Sequence, residues 1–82
     1  MLTSAEKDKL ARRAMIAYLK EGEPGLPASG DVVRAGGLTY VRVRDSAGAV
    51  LAVYRLKNPL TSTGAQQLRR MRRPPEDVIR RA

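Results

Sequence analysis

The sequence predicts an α+β fold: an N-terminal helix packed on a three-stranded antiparallel meander, followed by a basic C-terminal helical segment. Three observations predict it. Apolar residues recur at helical spacing over residues 4–21, between a capping signal and a Gly-Pro stop. Turn residues divide the Val-rich stretch of residues 31–57 into three short runs. Helical spacing returns in Ala65, Leu68 and Met71, with glutamine and arginine at the positions between them, and two arginine clusters follow towards residue 81. The 82 residues are expected to form one small domain spanning 1–82. With three Tyr, no Phe and no Trp, its core must come mainly from Val, Leu, Ile, Met and Ala.

The first helix, about residues 4–21, has a readable start. Thr3 and Glu6 have capping-box spacing, in which hydroxyl and carboxylate satisfy each other's backbone amides. Ala11, Met15, Tyr18 and Leu19 form one stripe, flanked by Leu10, Ala14 and Ala17. Gly22 suits a left-handed C-cap, and Pro24 blocks continuation. The following segment to Gly30 is rich in Gly and Pro and reads as a connector.

Strands are expected at about 31–35, 38–45 and 49–57. Gly36-Gly37 turns the first into the second. Asp45-Ser46-Ala47-Gly48 turns the second into the third, with Asp opening a type I turn and Gly48 closing a three-residue loop. That loop sets an expected register in which Val43 faces Leu51, Val41 faces Val53 and Tyr40 faces Tyr54. Val41, Val43, Leu51 and Val53 then lie towards the helix, and Tyr40, Arg42, Arg44 and Tyr54 lie on the outer face. A loop one residue shorter instead sets Val41 and Val43 opposite Tyr54 and Ala52. Helices are expected at about 63–73, from the Thr63/Gln66 cap and the Ala65, Leu68, Met71 seam, and at about 75–81 after Pro74-Pro75.

Charge is the main functional signal. The net charge is +8, and residues 55–82 carry eight basic and two acidic side chains. Twelve of the sixteen bases are arginine, whose planar fork of donors matches phosphate oxygens in pairs. Such asymmetry predicts a negative partner, with nucleic acid foremost and DNA favoured over RNA. The expected contacts are Arg69, Arg70, Arg72 and Arg73 on the helix, Arg80, Arg81, Arg55 and Lys57 extending the track, and Arg42 and Arg44 from the sheet. Tyr40 and Tyr54 are candidate stacking rings, although covering a helix or pairing across strands is the better explanation of them. The resulting expectation is a small basic nucleic-acid-binding protein, contacting the backbone in a regulatory or mobile-element role. The alternative is a non-catalytic interaction module docking on an acidic protein surface, such as a phage-type inhibitor of a CRISPR-like defence complex.

Other classes fit less well. Without Cys or His there is no disulfide framework and no ordinary zinc site, so no cofactor is expected. No nucleophile-base pair stands out. Ser4, Thr61, Ser62 and Thr63 sit at expected helix starts, where capping accounts for them. Small ribonuclease toxins cut RNA with Arg, Lys and Tyr alone, but their element order differs, and a non-enzyme is expected. The absence of a membrane span or signal-peptide pattern predicts a cytoplasmic chain with no membrane partner. A thin core and an apolar outer sheet face are compatible with a homodimer.

Overall fold

A computed structural model describes residues 3–57 and 67–80. Helix α1, Ser4–Glu21, lies on one face of a four-stranded antiparallel sheet of strands β1 (Ser29–Ala35), β2 (Leu38–Arg44), β3 (Val50–Lys57) and β4 (Gln67–Arg70). The strands stand in sequence order. A one-turn helix, α2 (Glu76–Arg80), packs on the other face through Val78.

The ends of α1 follow from its sequence. Thr3 N donates to Glu6 Oε1 and Glu6 N donates to Thr3 Oγ1, both at 3.2 Å, closing the capping box. Gly22 takes φ 68° and its N–H reaches the Leu19 carbonyl, as a left-handed cap should. The buried stripe is Leu10, Ala11, Ala14 and Tyr18, a rotation away from the expected one that leaves Leu19 exposed. Ala11 approaches the sheet at Gly30, where an added Cβ would stand 3.0 Å from the Ala11 Cβ. Helix and sheet close tightly there because neither residue is large.

The β2–β3 loop forms as its residues predict. Gly48 takes φ 86°, Asp45 N donates to the Ala49 carbonyl at 3.0 Å, and Arg44 pairs with Val50. The expected register nevertheless holds only at that end. A bulge leaves Leu51 as the extra residue, so Val43 faces Ala52, Val41 faces Tyr54, Arg42 faces Val53 and Tyr40 faces Arg55. Continuing β3 without it would have put Val53 and Arg55 beneath α1. The bulge instead places Ala52, Tyr54 and Leu56 there, in a core with Leu10, Ala14, Tyr18, Val41 and Val43. Val53 joins Tyr40 and Val78 on the opposite face. The register thus keeps a charged side chain out of the main core.

The expected helix at 63–73 is corrected. Residues 67–70 form β4, with Leu68 opposite Leu56, Arg69 opposite Arg55 and Arg70 opposite Tyr54, while residues 63–66 lie outside the described residues. One narrow apolar seam stabilises a short helix poorly. As a strand the same residues satisfy the backbone groups of the β3 edge and bury Leu68 against the α1 core. Met71 N continues the pairing, donating to the Val53 carbonyl at 2.8 Å. The sheet therefore has four strands, and the helical segment after it is reduced to α2.

Candidate functional site

The fold sorts the arginines into paired and unpaired sets. Arg42, expected on an outer face, is buried at 2 % exposure. Its Nε donates to both carboxylate oxygens of Asp31, at 3.2 and 3.1 Å, and its Nη1 donates to the Val78 carbonyl at 3.0 Å. A second contact joins Arg42 Nη2 to Asp31. Arg44 Nε donates to the same carboxylate at 3.3 Å, and its Nη1 donates to the Gly48 carbonyl at 2.6 Å. Arg42 thus ties β1, β2 and α2 together and is withdrawn from any surface role.

Arg70 is likewise engaged. Strand geometry puts Arg70 on the α1 face, away from Arg69, where it meets Glu21 and donates to Glu23 at 2.7 Å. Its guanidinium lies 5.5 Å from the centroid of the Tyr18 ring. The hydrogen bond from Arg70 holds the Glu23 carboxyl below its ordinary range, and the pair raises Arg70 further above its own. Tyr40 and Tyr54, the candidate stacking rings, are both buried and lie on opposite faces of the sheet. The expected Tyr40–Tyr54 pair does not form.

What remains is a compact group. Arg55 and Arg69 stand directly opposite each other on β3 and β4, on the face away from α1. With Arg70, Met71 and Arg72 they line a shallow concavity. Arg55 is half-buried, and Arg69, Arg72 and Arg73 are exposed. None of Arg55, Arg69, Arg72 and Arg73 has a carboxylate partner among the described residues. Arg80 is exposed, 3.9 Å from Glu76. Lys57 ends β3, and Arg81 lies outside the described residues.

Like charges directly opposite across strands destabilise a sheet. The pairing of Arg55 with Arg69 is therefore a local cost of folding that a bound anion would relieve. Two guanidinium forks on neighbouring strands, with a third at Arg72, can present donors to adjacent phosphate oxygens. Sequence reasoning found Arg55 and Arg69 separately. It missed that they face one another, because that contact requires β4.

No family model, curated protein or solved structure matches the chain. Among the described residues no three His, Cys, Asp or Glu side chains gather as a metal site would require, and no helix is long and apolar enough to cross a membrane.

Burial of Tyr54 makes a testable pH dependence. Its phenol is pushed above the ordinary value of 10.0, first by burial and then by its hydrogen bond to Glu21. Above that pH the unfolded chain releases the proton while the folded chain retains it, so stability falls as pH rises. The melting temperature should start to decline above about pH 10, and less steeply in Tyr54→Phe, which has no proton to lose. Parallel declines in the two proteins would exclude the phenol as the cause. On the acid side, the Glu23 contribution is present above about pH 4.5 and is lost as pH falls through its lowered folded value.

Proposed function

We propose that the chain binds nucleic acid through phosphate contacts made by Arg55, Arg69, Arg72 and Arg73. The observation that carries this reading is the Arg55–Arg69 pair: two like charges opposed across strands, with no carboxylate assigned to either among the described residues. The same chain spends Glu21, Glu23 and Asp31 on Arg42, Arg44 and Arg70. Among the described residues, those three acids pair with other arginines and none is paired with this group. The net charge of +8 supplies the long-range attraction, and the cluster supplies the place of contact.

Binding of this kind carries little sequence information, since phosphate contacts orient a protein without reading bases. A rival reading, docking on an acidic protein surface, draws on the outer side of α1. There Ile16 is 52 % exposed, beside Lys9, Arg12 and Arg13, so charge rims an apolar side chain.

Salt dependence tests the proposal and its size. With three or four phosphates engaged, log K against log salt should have a slope of roughly −3 to −4 on duplex DNA, from about −0.9 per contact. Fluorescence polarisation of a labelled random duplex, titrated across salt concentrations, reads that slope directly. Were all ten basic residues expected from the sequence engaged, it would approach roughly −9. A flat response, or no binding at low salt, would eliminate the nucleic-acid reading and favour the acidic protein partner.

A further inference from the structure

Resting on the nucleic-acid reading above, we propose that the ligand is the phosphate backbone of a duplex, held without base stacking, in preference to a single strand. The inference comes from the fate of the aromatic side chains. The chain has three tyrosines, no Phe, no Trp and no His. Tyr18, Tyr40 and Tyr54 are 3 %, 5 % and 2 % exposed. Each is committed to the interior. The Tyr18 hydroxyl donates to the Pro24 carbonyl at 2.6 Å, the Tyr54 hydroxyl donates to Glu21 at 3.0 Å, and Tyr40 packs with Val53 and Val78.

The protein therefore presents no ring on which a base can stack. Binders of single strands draw much of their affinity from such stacking, each ring accepting a base regardless of sequence. Without it, a site must rely on charge and guanidinium geometry, and these favour the denser polyanion. A duplex carries one charge per roughly 1.7 Å of axis, about twice the density of one strand, in a fixed array. Arg55 and Arg69 sit on adjacent paired strands, with Cβ atoms about 5 Å apart, and Arg72 follows two residues beyond β4. A cluster whose first two members are set by strand pairing meets phosphates already held in place by a duplex. A single strand must first be ordered to present the same array.

The test uses the full chain with four labelled probes: a DNA duplex, its two separated strands, and an RNA duplex of the same length. At fixed salt, at least one duplex should bind about tenfold or more tighter than the separated strands. DNA ahead of RNA, or the reverse, identifies which duplex supplies the phosphates, and either order supports the inference. Arg69→Gln should weaken duplex binding and reduce the salt slope by about one. Arg72→Gln, outside the strands, provides the same readout without altering the sheet. Lys9→Gln, on α1 across the sheet, removes an equal charge and should leave the slope near its original value. Single strands bound as tightly as duplexes would overturn the duplex inference while leaving nucleic-acid binding intact. Failure of every probe to bind at low salt would remove both.

Discussion

Asp31→Ala should destabilise the fold by about 3 kcal/mol, the largest effect expected of any surface-accessible side chain here. The substitution strands the Arg42 guanidinium, 2 % exposed, without the carboxylate that now accepts from its Nε and Nη2. Removing one partner of a buried pair leaves a charge in a medium that solvates it poorly. Asp31 itself keeps 39 % side-chain exposure, which places the effect at the lower end of the range for buried pairs. Arg44 loses a partner as well, and the Arg42 bond to the Val78 carbonyl ties the damage to α2. Native stabilities of small proteins are only about 5–15 kcal/mol, so this loss should be plain in urea unfolding. Arg42→Met offers the complement: it removes the charge but fills the space, and it should cost less than Asp31→Ala. If Asp31→Ala unfolds within error of the parent protein, the buried guanidinium must be solvated some other way.

Arg69→Thr should have opposite effects on folding and on binding. It removes the like-charge opposition to Arg55 and introduces a good strand former, for a gain of about 0.5 kcal/mol. It also removes a central phosphate contact, and duplex affinity should fall about tenfold. Doubling the change with Arg55→Gln should abolish measurable binding while the sheet persists. Paired urea and polarisation measurements on the same samples check both arms. A loss of stability together with binding would mean that the arginines support the sheet, and the case for a site would lose its basis. Opposed effects are the signature of residues retained for function at the expense of stability.

Surroundings, and not residue type, divide the arginines. Arg42, Arg44 and Arg70 find carboxylates and become structural. Arg55, Arg69 and Arg72 gather with no carboxylate partner among the described residues and become the candidate site. Arginine suits both uses because its fork hydrogen-bonds a protein carboxylate and a phosphate in the same way.

Part of this division was legible beforehand. The Gly36-Gly37 turn, with φ 57° and 77°, pairs Ala35 with Leu38, and that register alone sets Asp31 opposite Arg42 and Ser29 opposite Arg44. The Asp31 network could therefore have been read from the hairpin. The Arg70 pairs could not, because Glu21 and Glu23 lie at the end of α1 and reach Arg70 only across the assembled sheet.

Local chemistry was enough to determine α1 and its two caps, the Gly48 turn, the α+β class and the concentration of positive charge towards the end of the chain. Capping and turn conformation depend on neighbours within a few residues, and the charge distribution follows from composition alone, with no folding needed to read it. Only the tertiary structure decided that Leu51 bulges, that residues 67–70 pair as a strand and that Tyr40 and Tyr54 turn inward. Each of these depends on which distant surface is available to bury an apolar side chain or to complete a row of backbone hydrogen bonds, a competition that no local pattern records.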